Sequence, residues 1–252
     1  MIYNILVSIK SKGDNMGRKW QNIKYAKAAK DANRAKIYAK FGKEIYMAAK
    51  PNPDPEGNLH LKAVIDKAKT YNVTKDIIDR AINKAKAGVD ESYTHNRYEG
   101  YGPSGSALIV DTLTDNVNRT VAEVRSAFTK NKGNLGVAGS VSFMFTSTAV
   151  FGIEPLDEDV VLEAMIENDC DVSDIELHDG VMMIYGHSDD YNKIQKTLTA
   201  LGVDEFKVSE ISMLPNETIT LEGEELARFE KLLDTLEELD DVQEVYHNVE
   251  LN

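Results

Sequence analysis

Residues 150–213 read VFGIEPLDEDVVLEAMIENDCDVSDIELHDGVMMIYGHSDDYNKIQKTLTALGVDEFKVSEISM. Short apolar runs in this stretch predict strands, and apolar residues three or four positions apart predict helices. Asp179-Gly180 lies between two apolar runs and indicates a hairpin turn. The order is strand, helix, strand, strand, helix, strand, over residues 150–153, 157–168, 175–177, 181–185, 189–201 and 207–213. This is the order of the ferredoxin-like split β-α-β motif.

Similar elements flank this stretch on both sides. The patterns predict strand, helix and strand twice more, over residues 107–113, 118–132 and 141–145 and over residues 218–221, 222–239 and 242–248. Together the two flanking parts would complete a second split motif, with the first inserted at its central turn. The sequence therefore predicts an α+β fold with two related, ferredoxin-like domains, one inserted in the other.

The first third of the chain is predicted to be helical. Ile37, Phe41 and Ile45 recur four positions apart, which is one helical stripe within residues 36–50. Prolines end this helix, and two further helices are predicted over residues 58–71 and from Thr74 onward.

The domain boundaries follow from these elements. Residues 97–105 are rich in glycine and predict a link, with Gly100, Gly102 and Gly105 as an interdomain hinge. We expect an extra N-terminal segment at residues 1–15 and a basic helical domain at residues 16–96. A discontinuous α+β domain follows at residues 97–146 and 214–252, with a ferredoxin-like domain inserted at residues 147–213.

Charge is distributed very unevenly along the chain. The net charge is −13, yet residues 17–97 carry 18 Lys and Arg against 9 Asp and Glu, and residues 98–252 carry 9 against 32. Chance variation is one explanation of this contrast. A module that binds polyanions, joined to a body that repels them, is the other, and we favour it.

Basic side chains are concentrated at the start of the helical domain. The predicted nucleic-acid-binding residues are Arg18, Lys19, Lys24, Lys27, Lys30, Arg34, Lys36, Lys40 and Lys43. Lysines on one helix face can neutralise phosphates and release counterions, although such a face can also be merely solvated. Trp20 and Tyr25 could stack on bases but are more often core residues. Arg119 and Arg125 could contact a backbone or pair with nearby carboxylates.

Four short motifs occur in a fixed order. They are MGRKWQNIK at residues 16–24, RYEGYGP at 97–103, LTDNVNRT at 113–120, and GNLG at 133–136 followed by GSV at 139–141. Together they resemble the YebC-like family of probable transcriptional regulatory proteins, whose mitochondrial relatives are translational activators of cytochrome oxidase. The resemblance begins near Met16 and implies a helical N-terminal domain plus two α+β domains, one inserted in the other.

Motifs for catalysis and cofactors are lacking in the sequence. The glycines at residues 102–105 are not followed by the Gly-Lys-Ser/Thr of a phosphate loop. Asp169, Asp171 and Asp174 lack the spacing of a calcium loop, and His178 and His187 are too weakly grouped for a metal site. We therefore expect a protein that is not an enzyme, with no catalytic residue, metal or cofactor.

The sequence also suggests a compartment. The one cysteine, Cys170, excludes an internal disulfide and suits the reducing cytoplasm. No apolar run is long enough to span a membrane, and no convincing secretory signal is present. We expect a cytoplasmic protein without a membrane partner.

Several functions fit these observations. The leading hypothesis is a transcriptional regulator that binds DNA through its basic helical domain, while the acidic domains contact a protein partner. The alternative is a ribosome-associated translation factor, or translational activator, that binds ribosomal RNA. An adaptor whose basic domain binds an acidic protein is a third class.

Overall fold

The computed structural model describes residues 34–89 and 91–251. The helical domain contains α1 (Arg34–Ala49), α2 (Leu59–Thr70) and α3 (Lys75–Lys86). Helix α2 begins where the Asn58 side chain accepts a hydrogen bond from the backbone N–H of Leu61, which satisfies a donor that the helix itself leaves free. The predicted stripe of α1 is buried against α2 and α3, with Ile45 fully covered.

The discontinuous domain surrounds the insertion in sequence. Its elements are β1 (Thr94–Tyr101), β2 (Ala107–Thr114), α4 (Val117–Lys130), β3 (Asn134–Leu135), β8 (Ile219–Thr220), α7 (Gly223–Glu237), β9 (Val242–His247) and β10 (Val249–Glu250). The main sheet is antiparallel with the strand order β3-β1-β2-β9, and β8 pairs with β10 in parallel. Phe128 of α4 and Leu232 of α7 are fully buried in the core of this domain, together with Leu108 of β2.

The insertion forms a sheet of its own. Its elements are β4 (Phe145–Ile153), α5 (Glu158–Glu167), β5 (Val172–His178), β6 (Val181–His187), α6 (Tyr191–Ala200) and β7 (Val208–Pro215). The strand order β5-β6-β4-β7 is antiparallel throughout and has the ferredoxin-like arrangement. Helices α5 and α6 pack against this sheet over Phe151 and Ile184.

Two predicted elements of the discontinuous domain were wrong. Residues 97–101 form the second half of strand β1, since they pair with β2 in a regular ladder, although Gly100 and the glycines and proline of residues 102–105 suggested a link. Residues 142–144 form a short 3-10 helix, and the strand that follows begins at Phe145 and belongs to the inserted sheet. The strand beside β2 is therefore β1, and residues 218–221 supply only the short β8.

The α+β class with an N-terminal helical region is confirmed. Helix α2 packs against β7, so the helical domain contacts the insertion as well as the discontinuous domain. In the part of the chain that the structure describes, no helix has both the length and the apolar character needed to cross a membrane.

Candidate nucleic-acid interface

Helix α1 carries three of the predicted binding residues along one edge. Its buried stripe faces the other two helices, and Lys36, Lys40 and Lys43 extend from α1 toward the end of α7. Spacings of four and three residues place these lysines on neighbouring turns of one face. The helix therefore presents a row of three ammonium groups.

This row is in contact with the discontinuous domain. Lys36 Nζ donates to the carbonyl oxygen of Glu238. Lys40 Nζ lies 3.3 Å from the Glu237 carbonyl oxygen, and Lys43 Nζ lies 3.2 Å from that of Asp240. The last carbonyls of a helix have no partner within the helix, and the helix dipole makes this end negative. The lysine row thus binds the C-terminal end of α7.

Asp241 is the carboxylate at the centre of this contact. Its Oδ1 lies 3.4 Å from Lys43 Nζ, and its Oδ2 accepts from Arg119 Nη2 at 2.5 Å and from the hydroxyls of Thr114 and Thr120 at 2.9 and 2.8 Å. Burial alone would raise the pKa of Asp241, but these donors outweigh it and lower the pKa. The sequence did not single out Asp241, because its partners are far away along the chain.

Lys67 ties the helical domain to both α+β domains. Its Nζ lies 2.8 Å from Glu244 Oε1 on β9 and 3.6 Å from Glu210 Oε2 on β7. Burial would lower the pKa of Lys67, but Glu244, Glu210 and Glu44 outweigh it and hold the pKa well above its ordinary value. The hydrogen bond of 2.9 Å from Gln195 to the Asp66 carboxylate adds a second link to the insertion.

A cavity of about 460 Å³ lies at the junction of the three domains. Its charged lining consists of Lys67, Arg97 and the carboxylates of Glu44, Asp111, Glu210 and Glu244, so acidic side chains outnumber basic ones. Burial raises the pKa of Glu44. The buried amide of Gln243 also lines the cavity and has no hydrogen-bond partner among the described residues. A cavity of this charge does not attract phosphate groups.

The structure describes four of the nine predicted binding residues. Arg18, Lys19, Lys24, Lys27 and Lys30 lie outside the described residues, as do Trp20 and Tyr25. Arg34 is exposed at the start of α1. Lys36, Lys40 and Lys43 form one row, but this row contacts the C-terminal end of α7. Their binding to nucleic acid stays a prediction.

The predicted glycine hinge lies within one hairpin, so it does not join two domains. Gly100 belongs to β1, and Gly102 and Gly105 lie in the turn between β1 and β2 of the same sheet. A Cβ on Gly100 would lie 2.7 Å from the Asn134 carbonyl oxygen and 2.8 Å from the Phe128 ring, so glycine allows close packing there. Gly105 has φ +76°, which glycine adopts without strain.

Of the two arginines considered on α4, Arg119 has carboxylate partners, whereas the Arg125 side chain has no ion-pair partner among the described residues. Arg119 pairs with Asp115 at 2.8 Å, as one of the two sequence interpretations expected. Among the described residues, no group of three or more His, Cys, Asp or Glu side chains could hold a metal ion.

Known proteins resemble this chain over most of its length. Residues 18–88 match the family model of the TACO1/YebC protein N-terminal domain, and residues 93–249 match that of the TACO1/YebC second and third domain. The crystal structure of a conserved hypothetical protein from Aquifex aeolicus is similar, with 37% sequence identity and a TM-score of 0.74. The similarity covers 88% of this chain and 92% of that one.

Proposed function

Because this chain belongs to the TACO1/YebC family, we propose that it is a non-enzymatic, cytoplasmic regulator of gene expression that binds DNA through its basic helical domain. The row formed by Lys36, Lys40 and Lys43 carries this proposal. Three ammonium groups bind successive oxygen acceptors at the end of α7, and a line of phosphate oxygens is an acceptor array of the same kind.

Binding of DNA by this row requires release of the α7 contact. The acceptors there are mainly neutral carbonyl oxygens, and a hydrogen bond from a charged ammonium group contributes about 1.5–3 kcal/mol net. DNA phosphates offer full charges, and their neutralisation releases condensed counterions. The helical domain therefore exchanges one set of oxygen acceptors for another.

The choice of lysine favours recognition of the backbone over that of bases. Lysine is a compact point charge, whereas the bidentate reading of guanine is best done by the planar fork of arginine. Each predicted contact on the described part of α1 after Arg34 comes from a lysine. We therefore expect weak sequence preference and a strong dependence of affinity on salt.

Salt dependence tests the proposal directly. The change is the triple substitution of Lys36, Lys40 and Lys43 by Gln, and the measurement is the affinity for a labelled DNA duplex from about 50 to 200 mM KCl. Loss of three phosphate contacts should reduce the slope of log K against log salt by about 2.7, at ~0.9 per contact.

A matched control removes the same charge elsewhere on the helical domain. Lys69, Lys75 and Lys86 are exposed on α2 and α3, and their triple Gln variant should keep the wild-type slope. If the α1 variant also keeps the wild-type slope, the lysine row does not bind DNA.

The second candidate is a translation factor that binds ribosomal RNA. The Lys-rich composition of the helical domain favours it as much as DNA binding, because both targets offer a phosphate backbone. Crosslinking by ultraviolet light in living cells, followed by sequencing of the attached nucleic acid, separates them. Ribosomal RNA fragments would replace the first proposal by the second, and discrete chromosomal fragments would support the first.

A further inference from the structure

We propose that the loop between α4 and β4 is a second nucleic-acid site, where an unpaired base stacks on Phe143 and Lys132 binds a flanking phosphate. This inference rests on the proposed function and deepens it, since it adds a single-stranded segment to the target. It also places a contact on the acidic part of the chain.

The loop exposes two large apolar side chains. Val137 is 78% exposed and Phe143 is 72% exposed, more than any other exposed large hydrophobic side chain in the described ranges. Tyr101, which contacts the same loop, is 36% exposed. Exposed aromatic rings are the stacking platforms of proteins that bind single strands.

A buried carboxylate fixes the backbone of this loop. Glu99 Oε1 accepts the backbone N–H of Gly139 at 2.9 Å, and Glu99 Oε2 accepts those of Val141 and Ser142 at 2.8 Å. Burial would raise the pKa of Glu99, but the three N–H donors outweigh it and lower the pKa. The Tyr101 hydroxyl also donates to the Ser140 carbonyl oxygen at 2.8 Å.

Such a fixed loop presents Phe143 without further ordering. Asn216 Nδ2 donates to the Phe143 carbonyl oxygen at 3.2 Å, so the backbone of this residue is held from the other side as well. Binding that does not immobilise a loop avoids part of the usual entropic cost. The loop is therefore built as a rigid platform.

The chain segment that contains the platform has a charge opposite to that of the rest of the acidic part of the chain. Residues 116–148 carry four basic side chains and only one acidic one, Glu123, within a region that is otherwise strongly acidic. Arg119 is engaged by Asp115 and Asp241. The exposed cations that remain are Arg125, Lys130 and Lys132, and none of their side chains has an ion-pair partner among the described residues. These cations suit an anionic partner.

Lys132 occupies a backbone position that lysine does not favour. Its φ is +60°, and the N–H of Gly133 bonds to the Phe128 carbonyl oxygen at 2.8 Å, which is the usual hydrogen bond that closes a helix end. Glycine or asparagine normally provides the left-handed residue at this point. The corresponding residues after α2, α5 and α6 are Asn72, Asp169 and Gly202, so lysine is the one long, charged cation among these four positions. The exposed Lys132 side chain gains no packing that offsets this strain, which points to a role in binding.

A nucleic acid fits these features better than a protein. A protein partner needs a broad apolar patch, whereas this loop offers two separate apolar side chains among glycines and cations. The Glu99 carboxylate that contacts this loop is buried and accepts three backbone N–H groups, and Glu225, which accepts from Ser104 in the β1–β2 turn, is paired with Arg228. An exposed ring on a chain segment of net positive charge suits one base with its phosphates.

The test compares Lys132→Gly and Phe143→Ala in the full-length chain by fluorescence anisotropy. The probes are a labelled oligouridylate of about 12 nucleotides and an abasic strand of the same length and charge. Phe143→Ala should weaken oligouridylate binding about fivefold or more and leave abasic binding unchanged, since only the base stacks. Lys132→Gly should weaken the binding of both strands and lower the salt slope by about 0.7.

Thermal unfolding separates a binding role of Lys132 from a structural one. Glycine adopts the left-handed conformation of residue 132 without strain, so Lys132→Gly should raise the Tm by about 2 °C or more while the affinity for both strands falls. Lys196→Gln and Leu177→Ala remove an exposed lysine and an exposed apolar side chain from the insertion, and both should bind like the wild type.

The outcomes distinguish the two proposals. Wild-type affinity of both loop variants for oligouridylate overturns the second site and leaves the α1 row intact. Equal losses on the abasic strand and the oligouridylate in Phe143→Ala overturn the stacking. Absence of any binding by the wild-type chain to duplex or single strand overturns the proposed function together with this site.

Discussion

Replacement of Lys67 by Met should loosen the junction of all three domains. The variant keeps most of the side-chain volume but removes the ammonium that lies 2.8 Å from Glu244 and 3.6 Å from Glu210. The side chains of Lys67, Glu210 and Glu244 are only 12%, 11% and 21% exposed. Glu210 and Glu244 would then lose the ammonium that they share, in a cavity that Glu44 also lines.

The expected cost is large for one substitution. Removal of one partner of a buried ion pair destabilises a protein by about 3–5 kcal/mol. The residual exposure of these side chains favours the lower end, ~3 kcal/mol, which corresponds to a decrease of about 6–12 °C in Tm for a chain of this size. Differential scanning calorimetry measures the decrease, and separate transitions would show that the domains have become uncoupled.

The pH dependence of this loss has a definite sign. In the wild type the folded pKa of Lys67 is raised, so its stabilisation is complete below the unfolded lysine pKa of about 10.4 and is lost as the pH rises through the higher folded pKa. In Lys67→Met the ammonium that lowers the pKa of Glu44 is removed, so burial and the Glu244 carboxylate should raise that pKa further. Lowering the pH from about 7.5 to 5.5 should therefore protonate Glu44 and recover part of the lost stability.

The matched control is Lys69→Met, two residues further along the same helix. The Lys69 side chain is 64% exposed and pairs with Asp66. An exposed pair of this kind contributes about 0.3–0.5 kcal/mol. If Lys67→Met costs no more than Lys69→Met, or if its loss is the same at both pH values, the ion-pair account of the junction is refuted.

Two further predictions concern the discontinuous domain and α1. Glu99→Gln should lower the Tm at neutral pH by several degrees, because an amide cannot accept all three backbone N–H groups. In the wild type the folded pKa of Glu99 is lowered, so the stabilisation should be lost as the pH falls through that pKa. The variant has no carboxylate at this position and should not show this loss. Calorimetry from neutral to acidic pH measures both. Gly42→Ala should stabilise the chain by about 0.5–1 kcal/mol, since Gly42 lies in the middle of α1 and its added Cβ would meet no atom within 4 Å. Gly100→Ala should destabilise the chain, because the added Cβ would clash with the Asn134 carbonyl oxygen and the Phe128 ring. Urea unfolding compares the two, and a destabilising Gly42→Ala would contradict this account of α1.

Local pattern was sufficient to predict most of the architecture. The helices of the N-terminal domain and the six elements of the insertion have periodicities and turns that depend on near neighbours, so the sequence shows them directly. Strand β1 was missed because the same signals, Gly100, Gly102 and Pro103, belong to a strand end and a tight hairpin as well as to a link. Only the pairing with β2 distinguishes these structures.

The interdomain contacts could not be predicted from local pattern. Lys67 and Glu244 are 177 residues apart in sequence, and Asp241 meets Thr120 across 121 residues. The lysines of α1 were recognised as one charged face, but the sequence contains no sign that the acceptors are backbone carbonyls at the end of α7. A carbonyl is present at every residue, so its availability depends only on where the helix ends.

In our proposal the lysine row of α1 binds either the end of α7 or nucleic acid, and this competition determines how a measured affinity for nucleic acid should be interpreted. If nucleic acid binds only the released row, the apparent Kd is the intrinsic Kd divided by the fraction of molecules in which the row is free. Salt screens contacts with phosphates strongly, but it acts less on hydrogen bonds to the neutral carbonyls of Glu237, Glu238 and Asp240. It also screens the Lys43–Asp241 ion pair less than an exposed pair, because the Asp241 carboxylate is buried. The α7 contact therefore lowers the affinity at every salt concentration, while the salt slope still counts the phosphates bound. The slope, rather than the Kd alone, reports the contribution of α1.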